Sequence, residues 1–125
     1  MEQDKLTVTL AAEPGTSLSS GSLRLYALPY GCVDLYAYDP INRRAAVGIA
    51  VATAHRRHGH ALAMLRALAA QFGGTLHTLY ADIAATNTAS LALFEKAGYS
   101  RCGFFRQWLR TDGGYEDCIR MQLLL

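Results

Sequence analysis

The apolar positions of the chain fall into two periodicities. Strand-like runs lie near 5–11, 22–28, 31–38 and 44–52, the last closing on the apolar stretch Val47-Gly48-Ile49-Ala50-Val51. The spacing then changes. Leu62, Leu65, Leu68, Ala69 and Phe72 recur at i, i+3, i+4, which predicts a helix near 58–72 with that face against a sheet. Gly73-Gly74 stops it, in the manner of a left-handed C-terminal cap. A strand is predicted at 76–83. Asn87 is an N-cap candidate for a short helix to Ala97, closed by Gly98. Strands near 99–110 and 115–124 flank Thr111-Asp112-Gly113-Gly114, a hairpin signal. Strands that alternate with helices and end in a hairpin predict an α/β (α+β mixed) fold built on a mixed sheet. Residues 14–22, rich in Gly and Ser, read as an exposed loop.

The junction between the fourth strand and the first helix carries the clearest chemistry. Arg56-Arg57-His58-Gly59-His60-Ala61 sets a basic, glycine-containing turn at a helix N-terminus. Unpaired N–H groups of a first helical turn and the helix dipole both favour an anion there. Small residues at Gly59 and Ala61 allow a phosphate ester close to the backbone. These features specify an anion site and leave the anion open.

At 125 residues the sequence fits one domain, 1–125, and a hydrophobic share of 51% excludes global disorder. A net charge of +2 is too small to imply nucleic acid, and no apolar stretch has the length of a membrane span. Met1 to Lys5 is polar with no apolar run behind it, so no secretory signal is expected. Three cysteines without a framework spacing read as reduced thiols of a cytoplasmic protein.

Arg56-x-x-Gly59-x-Ala61 resembles the acetyl-CoA signature of the GNAT superfamily of N-acyltransferases. The segment Asn87-Thr88-Ala89-Ser90-Leu91-Ala92-Leu93-Phe94-Glu95-Lys96-Ala97-Gly98-Tyr99 resembles a second signature of that superfamily. Asp39-Pro40-Ile41-Asn42-Arg43-Arg44-Ala45 and the tail Asp112-Gly113-Gly114-Tyr115-Glu116-Asp117 with Met121 look like its ribosomal-protein and spermidine N-acetyltransferase branch. The resemblance implies a twisted mixed sheet whose strands at 44–52 and 76–83 run parallel and splay apart. It further implies acetyl-CoA as co-substrate and no metal. The backbone of Ile49 and Val51 would bind the pantetheine arm, the turn of Arg56, Arg57, His58, Gly59, His60 and Ala61 the pyrophosphate, and Asn87 the arm or its own helix. The implied reaction is direct attack of a primary amine, on a small molecule or a protein, within a ternary complex.

Three departures accompany the resemblance. Ala46 stands where relatives carry a glutamate base, and Phe94 where they carry a tyrosine acid. A positioned acid or base contributes roughly 10²–10⁴-fold, so no catalytic side chain is assigned. The family's first strand and two helices have no room ahead of the strand near 5–11, and the edge thereby exposed leads to the expectation of a homodimer. Neither nucleic acid nor membrane is expected as a partner. Asp82 and Asp117 are candidate bases, and Tyr99 and Tyr115 candidate replacement hydroxyls. His55, His58 and His60 lack the carboxylate or thiolate company a metal site needs. The alternative to an N-acetyltransferase is a catalytically weakened acyl-CoA-binding module with a regulatory or assembly role.

Overall fold

A computed structural model describes residues 6–125. In chain order the elements are β1 (Ala11–Ala12), β2 (Leu23–Ala27), β3 (Gly31–Asp39), β4 (Arg44–Val51), α1 (His60–Phe72), β5 (Thr78–Ala84), α2 (Thr88–Lys96), β6 (Ser100–Thr111) and β7 (Gly114–Leu124). The strands form one twisted, mixed, seven-stranded sheet in the order β1-β2-β3-β4-β5-β7-β6. Strands β1 to β4 form an antiparallel meander, and β5, β7 and β6 are likewise antiparallel to one another.

The two halves meet at a single parallel junction. There β4 pairs with β5 only through Arg44↔Thr78, Ala45↔Leu79 and Ala46↔Tyr80. Beyond Ala46 the strands part, as expected for 44–52 and 76–83. The turn ahead of β4 is braced by Asp39, whose Oδ1 accepts from the N–H groups of Ile41 (3.0 Å) and Asn42 (2.9 Å). Those contacts, the Asn42 N–H first, hold the Asp39 carboxyl below the usual carboxylate range. Arg43 O, in the same turn, accepts from His77 N at 2.7 Å and so ties the turn to the start of β5.

Side-chain alternation assigns the two faces. Val33, Leu35, Ala45, Val47, Leu79, Ala81 and Met121 pack with Met64, Leu65 and Leu68 of α1 in the core. The two helices contact each other on that side. The opposite face presents Asp34, Tyr36, Gly48, Tyr80, Asp82 and Arg120, and among the described residues no helix covers it.

Three expectations are corrected. The strand expected at 5–11 begins at Lys5, outside the described residues, and only Ala11–Ala12 joins the sheet. Val8 and Leu10 still pack on the core, so the apolar pattern there marked burial without pairing. The helix expected from 58 starts at His60, because Arg57 (φ 66°) and Gly59 (φ 83°) are left-handed. Gly73 caps that helix in a right-handed conformation (φ −59°), with Phe72 O accepting from both Thr75 N and Leu76 N at 2.9 Å. Gly98 (φ 100°) does close α2 in the left-handed form.

Candidate active site

The parting of β4 from β5 creates a cleft of about 770 Å³ on the α1 face. Ile49 and Val51 form one wall, Arg56, Arg57, Gly59, His60 and Ala61 the end, and Asn87 with Ser90 and Leu93 of α2 the other wall. Eight of the nine residues expected at the site therefore line one cleft. His58 is the exception: it is exposed and outside the lining, its ring edge-on to His60 at 6.3 Å, which leaves its backbone for the role assigned to it.

The backbone explains what the cleft can hold. Ala52 N donates to Tyr30 O at 2.6 Å, so β4 and β3 share a hydrogen-bonded pair at that level. Strand alternation then turns the N–H and C=O of Val51 and Ile49 away from β3, toward the gap. In the gap, Arg56 Nε donates to Val51 O at 3.3 Å. At the other end α1 has no capping side chain and no acidic residue in its first turn. The left-handed Arg57 and Gly59 fold the preceding chain into a concavity of N–H groups, the form that binds anions.

Several lining residues escaped the sequence. Ser90 and Leu93 follow Asn87 at helical spacing on one face of α2, a signal available from the pattern. Tyr30 offered none. Its ring stacks on His60 at 3.9 Å and meets His55 edge-on at 5.0 Å, while His60 Nδ1 lies 3.2 Å from His55 O. The histidines thus pack as aromatic rings closing the cleft. Among the described residues no group of three His, Cys, Asp or Glu could hold a metal ion.

Of the candidate acids and bases, the two aspartates are engaged elsewhere. Asp82 takes a bidentate contact from Arg120 (2.7 and 2.9 Å), and Asp117 accepts the N–H of Gln107 at 2.9 Å where β6 bulges. Tyr115 is 63% exposed on β7. Tyr99 is buried edge-to-face against Phe94 (4.9 Å), its hydroxyl lacks a protein partner, and burial pushes the phenol far up. Ala46 and Phe94 are themselves buried. Cys118 faces Phe105 across the ladder, and Cys102 Sγ donates to Arg120 O, so the two thiols do not meet.

The Acetyltransferase (GNAT) domain family matches residues 16–100. This chain belongs to the GNAT acetyltransferase family. A curated GNAT relative, the spermidine N(1)-acetyltransferase of Vibrio cholerae serotype O1, is 31% identical over 96 residues, covering 75% of this chain and 56% of the relative. The chain thus spans little more than half the length of the curated relative it matches. Among solved structures, a chimera of the Vibrio cholerae spermidine N-acetyltransferase and hSSAT superposes with a TM-score of 0.77 at 28% identity, over 84% of this chain and 68% of the other. The dodecameric Vibrio cholerae spermidine N-acetyltransferase in its intermediate state gives 0.75 at 28%, over 83% and 65%.

That dodecamer corrects the expectation of a homodimer. An uncovered sheet edge calls for cover but does not count copies, and this sheet has two different edges, β1 and β6. No helix among the described residues is long and apolar enough to cross a membrane.

Proposed function

We propose that this GNAT chain is an acetyl-CoA-dependent N-acetyltransferase acting on a primary amine. The observation that carries the reading is the cleft itself: strand backbone on β4 that has parted from β5 leads to an uncapped helix N-terminus with two arginines. An extended thioester with amide groups in its arm and phosphates at its end matches that sequence of donors and acceptors. In this reading Ile49 and Val51 hold the arm by backbone, and the N–H groups from Arg57 to Ala61 hold the pyrophosphate. Asn87 caps α2 through Oδ1, which accepts from Ser90 N at 3.1 Å, and so fixes the far wall.

Acetyl-CoA supplies the activated acyl group. The amine nitrogen forms a bond to the acetyl carbon as the carbon–sulfur bond breaks, its electron pair leaves on sulfur, and the amine proton passes to solvent. Juxtaposition provides the acceleration in this reading, since the candidate bases Asp82 and Asp117 are engaged by Arg120 and by Gln107 N–H. A cytoplasmic location belongs to the same reading, supported by the free thiols of Cys32, Cys102 and Cys118.

A second reading, an acyl-CoA-binding module, is favoured by the burial of Ala46 and Phe94. Thiol release from acetyl-CoA with a panel of primary amines, run beside calorimetry with CoA, separates the two. The enzyme reading expects both signals. CoA binding without release by any amine selects the module, and absence of CoA binding removes both.

A further inference from the structure

His60 opens α1, and the cofactor reading uses only its backbone. Its ring stacks on that of Tyr30 at 3.9 Å and 21°, with the rings of His55 and His58 at 5.7 and 6.3 Å. Nδ1 of His60 lies 3.2 Å from His55 O. A carbonyl oxygen only accepts, so Nδ1 carries the hydrogen and Nε2 is the position open to a second proton. Taking that proton leaves the Nδ1 contact intact. A charged imidazole stacked on a phenol ring also gains a cation–π attraction.

The empty cleft opposes that proton. Arg56 and Arg57 line the same end, Lys96 lines it from α2, and the N-terminus of α1 adds the positive end of its dipole. None of the described residues lining the cleft is Asp or Glu. The charged and titrating groups about His60 are thus cations, the imidazoles of His55 and His58, and the Tyr30 phenol. A pyrophosphate in the cleft reverses the sign of this field. Opposite charge within a few ångströms favours the charged form of a titrating group, commonly by about tenfold or more in proton affinity.

We propose that the His60 side chain takes up a proton at Nε2 when the pyrophosphate of the cofactor enters, and holds that phosphate as an imidazolium. This rests on the acetyl-CoA reading and adds a side-chain partner to the backbone donors from Arg57 to Ala61. The proton comes from solvent, and no bond other than the new N–H changes. Because binding raises the proton affinity of the ring, the added cofactor affinity is full below the midpoint of the free ring. It is lost as pH rises through the midpoint of the complex. Imidazole makes this change between about pH 5 and 8. The donor is then held most tightly where neutral amine is scarcest. The effect enters KM for acetyl-CoA and not the amine's kcat/KM at saturating donor.

Dephospho-CoA is the probe, since its pyrophosphate, unlike the 3′-phosphate of CoA, has no proton that titrates in that window. The chain has four histidines, so their ring Cε1–H signals in NMR of the full chain are assigned by single substitutions. His77, just ahead of β5 and outside the cleft lining, is the internal control. On saturation the midpoint of the His60 signal is expected to rise by about 1 on the pH scale while that of His77 stays in place. Calorimetry in two buffers of different ionisation heat should show uptake of about half a proton near pH 7, and a dissociation constant about sixfold lower at pH 6 than at pH 8. His60→Phe keeps a ring against Tyr30 and should abolish the uptake. Binding of dephospho-CoA without proton uptake, or uptake that survives in His60→Phe, overturns the proposal and leaves the cofactor reading standing. Binding of CoA but not of dephospho-CoA does the same, because it puts the affinity on the 3′-phosphate. Binding of neither removes both.

Discussion

Gly59 is the residue on which the anion site turns. Its φ of 83° lets the chain enter α1 with the first-turn N–H groups uncapped and facing the cleft. A β-branched side chain there is strained in the left-handed region and occupies space needed by a phosphate. Gly59→Val is expected to weaken CoA binding by about tenfold or more in calorimetry, a larger loss than Arg56→Ala produces, because backbone makes most of the contacts. The pH dependence of turnover also belongs at this scale. With Asp82 and Asp117 engaged and Ala46 and Phe94 apolar, the fraction of neutral amine sets the rate. An alkylamine with a pKa near 10 gains about tenfold in its neutral form per pH step below that value, so log kcat/KM should climb with a slope of about one from pH 6 to 9. A bell-shaped profile with a limb near neutrality would mean that a side chain of this protein transfers the proton.

At the scale of elements, the third and fourth strands decide whether the cleft exists. Gly31 faces the backbone of β4 so closely that an added Cβ would collide with Ala50 O. Gly31→Ala must therefore displace the end of β4 that carries Ile49 and Val51. The expected result is a loss of about 1–3 kcal/mol in denaturant unfolding, together with weaker CoA binding. Unchanged binding would show that the arm does not use this stretch. The elements also show why sequence reading worked where it did. The helical spacing of Leu62, Leu65, Leu68 and Phe72 and the turn Asp112-Gly113 are local signals, and both gave elements of the right kind in the right place. Arg56 to Ala61 are contiguous, so their common placement needed no tertiary knowledge. Tyr30 reaches His60 only because β3 pairs with β4 through Gly31↔Val51, a contact with no local trace. The end of α1 misled for the opposite reason: two glycines permit a left-handed cap without requiring one.

At the scale of the molecule, one apolar core must hold together a sheet whose halves share three residue pairs. Leu68 of α1, fully buried, packs in the cluster that contains Leu35 of one half and Leu79 and Met121 of the other. The backbone junction alone is too short to fix their relation, so the helix does so by packing. Leu68→Ala is expected to cost about 2–5 kcal/mol, read as a lower midpoint in urea followed by circular dichroism. A loss well below 1 kcal/mol would mean that the two halves are locked by the ladder rather than through α1.

The parted strands carry one more consequence. From Val47 onward β4 exposes, inside the molecule, backbone groups of the kind that recruit foreign strands when left bare. Arg56 lies over this stretch, its guanidinium on Val51 O, and puts a charge where an intruding chain would have to dock. An arginine that reads as a ligand-binding residue thus also sets a charge against the open edge of β4, the kind of group that disfavours strand addition.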